Sequence, residues 1–263
     1  MPKSNRGGRR STATTTQTTT QTTASTPRVY TTLTNQEAQT LRDQQDSMYN
    51  GTVTAAVKMY ISGQPHTQAA NVDGQGHSMS QTMNYLLENG EDLNNLSVNQ
   101  VNKKYGLSLD PRTWASIQYM NNVLNQGSHD LGHDVTLTKY GHQDILKNEF
   151  GISNYSKLSE AQLQSKLVGG TFTSKAYMST SYDPSKSPFN SASGSGIGGG
   201  REVIFRINAK SDTKVLLGAK AQSEIIINKG TNYKITNVQY TGNIATPRLS
   251  GSVRQIVIDL EVI

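Results

Sequence analysis

From about residue 35 the apolar positions recur with the period of a helix. Met79, Met83, Leu86 and Leu87 fall at i, i+4, i+7 and i+8. Trp114, Ile117, Met120 or Asn121, and Leu124 form a second stripe, preceded by Asp110-Pro111 as a cap and first-turn proline. Leu93, Leu96, Val101 and Tyr105 predict a further short helix ending at Gly106, and Gly127 closes this region. From residue 134 the period becomes two. Val135 and Leu137 alternate with Thr136 and Thr138; Val203, Phe205 and Ile207 repeat the pattern; Ile256, Ile258, Leu260 and Val262 face away from Val257, Asp259 and Glu261. Leu158, Leu163 and Leu167 predict a helix over 156–168, stopped by Gly169-Gly170. Helices over 35–128 followed by strands over 134–263 predict one α+β domain spanning 35–263, with no internal repeat.

Residues 1–34 do not fit either period. They form a Thr/Gln/Ser tract behind a Gly-Arg-rich start, and such a segment buries too little apolar surface to offset its chain entropy, so a disordered basic tail is expected. It serves as a solubilising tether or, more sharply, as a docking arm for a partner or nucleic acid. The net charge of +6 belongs mainly to this tail, because Lys3, Arg6, Arg9, Arg10 and Arg28 stand there without an acid. The remainder is nearly neutral and lacks the overall basic bias of a nucleic-acid binder. Zero cysteines exclude a disulfide frame, a thiol nucleophile and a cysteine-based zinc site. With no apolar signal region and no run of about 20 apolar residues, the expectation is a cytoplasmic protein, or one delivered without a Sec signal by injection or in a virion, and not bound to a membrane.

Three places carry candidate chemistry. Lys139 ends the strand Val135–Thr138; Ser179-Thr180-Ser181 closes the run from Phe172; Gln222-Ser223-Glu224 opens the apolar run Ile225–Ile227. A hydroxyl cluster and a lone carboxylate meeting in a cleft suit chemistry at a sugar, where hydroxyls need holding and positive charge develops at the anomeric carbon. The order of these elements, the approach from Thr171 to Tyr177, and the segment from Val215 to Lys234 with its glycine before the turn resemble the ADP-ribosyltransferase exoenzyme family of clostridial Rho-modifying and binary actin-modifying toxins. The resemblance covers roughly 134–263.

That resemblance implies an α+β ADP-ribosyltransferase fold, with two packed, mainly antiparallel sheets forming an NAD cleft and helices on the N-terminal side. It implies NAD as co-substrate and no metal. Glu224 is then the catalytic carboxylate, bonding the 2′-hydroxyl of the nicotinamide ribose and stabilising an oxocarbenium-like transition state. Ser179 orients Glu224, while Thr180 and Ser181 shape the nicotinamide pocket and support the strand. Gln222 bears on the acceptor: an amide cannot deprotonate a guanidinium, so an asparagine or glutamine side chain, or a guanine base, is favoured over arginine. The macromolecular acceptor is read as protein before nucleic acid.

Lys139 stands where the family has arginine for the NAD phosphates, and it offers a point charge without the planar fork. Either it substitutes with weaker NAD binding or activity has been lost. The alternatives to transfer are NAD glycohydrolysis and a degenerate, phage-encoded virion or partner-binding protein. The loop Leu217–Ala221 lacks the aromatic with which many relatives touch protein targets, leaving Lys220 for an acidic surface or a phosphate. Gly194–Gly200 contains Gly-x-Gly-x-x-Gly, but a strand follows it where a dinucleotide fingerprint needs a helix, so it reads as a loop from which Phe189 or Arg201 contacts NAD. His129, His133, Asp130 and Asp134 read as solvated loop residues, since Gly132 breaks ligand spacing.

Overall fold

The computed structural model describes residues 28–49, 51–62, 71–141, 143–186, 202–245 and 252–263. Among these residues five helices come first: α1 (Asn35–Tyr49), α2 (Thr52–Ser62), α3 (Met79–Glu88), α4 (Val98–Tyr105) and α5 (Pro111–Gly127). Their ends follow local chemistry. Ser78 and Ser97 accept from the backbone N–H three residues on, and Gln81 and Gln100 reach back to close capping boxes. Asp110 caps α5 ahead of Pro111, as the sequence predicts, and Gly106 ends α4 at φ 65°, a left-handed turn that glycine adopts without a Cβ penalty. The two predicted stripes are buried: Met79, Met83, Leu86 and Leu87 on α3, and Trp114, Ile117, Met120 and Leu124 with Asn121 on α5.

The strands are β1 (His129–Asp130), β2 (Val135–Gly141), β3 (Thr171–Thr173), β4 (Met178–Ser181), β5 (Val203–Ala209), β6 (Lys214–Leu217), β7 (Glu224–Ile227), β8 (Asn232–Ala245) and β9 (Ser252–Val262), with α6 (Asp144–Phe150) and α7 (Glu160–Leu167) between them. They form a nine-stranded ladder in the order β1-β6-β7-β4-β2-β5-β9-β8-β3, antiparallel except for the β5–β9 pair. The expected two sheets are therefore two wings of one ladder, joined where β2 meets β4 at the single pair Thr138–Ser181. Apolar residues of both wings share one buried cluster, among them Ile225 and Ile227 from one and Phe205, Ile207 and Ile258 from the other.

The continuous apolar runs in β6 and β7 have a physical reason. Leu216 and Ile226 join the helical core of α2, α3 and α5, whereas Val215, Leu217, Ile225 and Ile227 join the core shared with the second wing. These two runs are covered on both faces, so Val215–Leu217 and Ile225–Ile227 are apolar at every position. Residues 28–34, read from composition as tail, are tied to the domain. Thr31 bridges Val135, Leu33 is buried, and Thr34 exchanges capping bonds with Glu37 at the start of α1. Among the described residues no helix is long and apolar enough to cross a membrane.

Candidate active site

Ladder register brings the serine and glutamate motifs together. Ser181 pairs with Glu224, and Ser179 pairs with Ile226, so Ser179, Ser181 and Glu224 share the face that Ile226 turns toward the helical core. Glu224 is 6% exposed. Its Oε1 accepts from the Ser179 hydroxyl, and its Oε2 accepts from the Ala219 N–H at 2.9 Å. Both carboxylate oxygens are thereby held, which fixes the rotamer of a charged group that a buried site would otherwise penalise.

The turn before Glu224 is shaped by two backbone features. Ser223 has φ 50°, and it is the only non-glycine residue with positive φ among the described residues. Such strain persists where the surroundings hold it, and Ser181 supplies the hold by donating to the carbonyls of Gln222 at 2.9 Å and of Asp183 at 2.8 Å. Gly218 is the second feature. A Cβ built there would lie 2.4 Å from Glu224 Oε2, so only glycine leaves room for the carboxylate. Thr180 turns away and donates to the Ile225 carbonyl at 2.7 Å, tying β4 to β7. Gln222 ends a single helical turn, Lys220–Gln222, and is half-buried.

Lys139 is not at a strand terminus as expected, since β2 runs on to Gly141. It sits half-buried within electrostatic reach of two carboxylates. Burial pushes its ammonium below the ordinary lysine value, and Glu88 and then Glu224 oppose that shift. Glu88, at the end of α3, is pushed up by burial and then by Glu149, against the pull of Lys139.

The helical side adds residues that the sequence pattern does not single out. Tyr60 of α2 is buried and feels the charges of Glu224 and Glu88; burial is the main cause that raises its phenol well above the ordinary value. Asn84 of α3 donates to the Tyr60 hydroxyl at 3.0 Å and to the Tyr177 carbonyl at 3.3 Å, and its Oδ1 is buried without a partner among the described residues. That oxygen is an acceptor for an incoming hydroxyl or amide. The only signal for these residues is an aromatic and an amide on helical faces, which sequence cannot aim. The donor set fits a ribosyl phosphate compound such as NAD: a fixed carboxylate for a ribose hydroxyl, a cation for phosphate, and a free amide oxygen.

Phe189, Arg201 and the Gly194–Gly200 stretch lie outside the described residues. His129 and His133 stay apart from this site: His133 approaches Glu37 at 3.8 Å, and His129 Nδ1 lies by the Asp130 carbonyl. Among the described residues no three His, Asp or Glu side chains converge as a metal site.

Comparison with solved structures finds the same fold. An ADP-ribosyltransferase from Clostridium botulinum, solved in a triclinic crystal form, superposes with a TM-score of 0.51 at 19% identity over 89% of this chain and 99% of its own. The Clostridium limosum C3 exoenzyme gives 0.54 at 16% identity, covering 91% and 98%. A C3 protein from S. aureus, solved with NAD, gives 0.52 at 16% identity, covering 90% and 98%. A search of curated proteins by sequence finds no match. The sequence profile described as ADP-ribosyltransferase exoenzyme, however, matches residues 54–263, which include Lys139, both motifs and the helices that cover them. The chain therefore belongs to the ADP-ribosyltransferase exoenzyme family and is an NAD-dependent ADP-ribosyltransferase.

Proposed function

We propose that this enzyme transfers single ADP-ribose units from NAD to an asparagine or glutamine side chain of a protein, or less favourably to a guanine base, with Glu224 as the catalytic carboxylate. The observation that carries the reading is the double hold on Glu224 by Ser179 and Ala219, with Lys139 in electrostatic reach. NAD supplies the glycosidic bond to nicotinamide. Glu224 accepts a hydrogen bond from the ribose 2′-hydroxyl and faces the positive charge that grows beside it, a fixed charge needing no reorganisation at the moment of reaction. Ser179 and the Ala219 N–H keep that carboxylate from rotating away. Lys139 attracts the phosphates as a point charge, and Glu88 and Glu224 favour its charged form against the cost of burial. Gln222, half-buried on the turn that leads into Glu224, offers its amide to the acceptor amide. Phe189 and Arg201 are proposed as further NAD contacts.

The test is incubation with labelled NAD and a host lysate, with Glu224→Ala in parallel. Label on a protein band that Glu224→Ala does not produce supports transfer. Nicotinamide release without label transfer replaces it with NAD glycohydrolysis. No turnover and no NAD binding by the wild type rejects both and leaves a catalytically degenerate member of the family.

A further inference from the structure

The helix α1 precedes the segment matched by the family profile, yet it bonds directly to the loop that holds Glu224. Arg42 Nη1 donates to the carbonyl of Gly218 at 2.7 Å. The next atom pair along that same peptide group is the Ala219 N–H, which donates to Glu224 Oε2 at 2.9 Å. One peptide unit thus stands between a guanidinium on its oxygen and a carboxylate on its nitrogen. A cation on a carbonyl polarises the amide and strengthens the hydrogen bond that its N–H donates, and both bonds fix the peptide plane.

Gln45, one turn further along α1, secures the preceding residue. The Leu217 N–H donates to Gln45 Oε1 at 2.8 Å, and Gln45 Nε2 donates to the Leu217 carbonyl at 3.4 Å, with Gln45 itself 2% exposed. A buried glutamine that spends both ends of its amide on one backbone residue acts as a strand would. Leu217, Gly218, Ala219 and Lys220 border a cleft of about 380 Å³ between the loop and α1–α2. Beside the loop's own backbone bonds, from the Gly218 N–H to the Glu224 carbonyl and from the Glu224 N–H to the Ala219 carbonyl, the polar bonds from α1 hold the loop on that side.

We infer that Arg42 and Gln45 are positioning residues for catalysis, acting on Glu224 through the Gly218–Ala219 peptide. The inference rests on Glu224 being the catalytic carboxylate. Arg42→Met removes the donor at similar length, and Arg42→Lys restores one. NAD turnover and the Ala219 amide proton shift, read by NMR on alanine-labelled protein, are measured together with thermal unfolding. Arg42→Met is expected to lower kcat by about tenfold to a hundredfold, the scale of a small misplacement of a catalytic group. KM for NAD stays unchanged, the Ala219 amide proton moves upfield, and Arg42→Lys recovers most of the rate. Gln45→Met follows the same split between kcat and KM.

An unchanged kcat in Arg42→Met overturns the inference, and so does an unchanged Ala219 amide. Loss of activity only in proportion to lost folded protein, with no recovery in Arg42→Lys, also overturns it. A wild type without NAD turnover instead rejects the proposed function, and the Ala219 amide alone then decides the link.

Discussion

Replacing Gly218 with alanine adds one methyl group at the most crowded point of the site. The new Cβ would meet Glu224 Oε2 at 2.4 Å, Cδ at 2.6 Å and Cγ at 2.7 Å, about 1 Å inside ordinary contact. Gly218 is not among the glycines with positive φ, so alanine can take its backbone conformation and the clash alone decides. The carboxylate has room to relieve the overlap only by swinging out, and it then surrenders the bonds from Ser179 and Ala219. Hydrogen bonds to a charged group are each worth about 1.5–3 kcal/mol, so the loss falls on the geometry of Glu224 more than on the fold. Overpacking itself costs about 1–3 kcal/mol, a Tm drop of several degrees for a domain of this size.

Activity is expected to fall much further, by about 10²–10³-fold in kcat, as when one preorganised electrostatic contact is removed from a transition state. Nicotinamide release under saturating NAD measures the rate, and thermal unfolding measures the fold. A Gly218→Ala enzyme with wild-type kcat would show that Glu224 need not stay between Ser179 and Ala219, and would refute the steric reasoning.

Lys139 gives a pH prediction. Its ammonium is depressed below the ordinary 10.5 by burial, so its charge is present below the depressed value and lost as pH rises through it. NAD affinity should weaken at an alkaline pH where a surface lysine is still charged, and Lys139→Arg should hold affinity to higher pH in a calorimetric titration. Affinity that is flat across that range in the wild type would exclude a phosphate role for Lys139. Gln222→Glu is expected to admit small guanidino compounds as acceptors, because a carboxylate pairs with a guanidinium; mass spectrometry of the products reads it, and unchanged acceptor choice counts against the role. Asp110→Ala should cost about 1 kcal/mol of stability, since its carboxylate caps α5 through the N–H groups of Arg112 and Thr113. The bond from the Thr113 hydroxyl is the largest cause holding Asp110 below 3.8, so its contribution is present above 3.8 and lost as pH falls through the lowered value. Urea midpoints of wild type and variant should converge in acid.

The sequence by itself determined the elements and the chemistry they carry. The α3 and α5 stripes, the Asp110-Pro111 cap, the Gly106 stop and the alternation in β2, β5 and β9 are local signals, set by side-chain period and backbone freedom within a few residues. The Ser-Thr-Ser and Gln-Ser-Glu motifs were legible for the same reason, and their order led to the family. Tertiary structure alone decided what meets what. Register across β4–β7 brought Ser179 and Glu224 into contact although they are 45 residues apart. Packing of α2 and α3 on that wing added Tyr60, Asn84 and Glu88, which have no motif around them. Arg42 carries no local sign of a role, because it lies on a helix and not at a strand end. Only the docking of α1 against β6 put its guanidinium on the Gly218 carbonyl, a contact spanning 176 residues that no local pattern encodes.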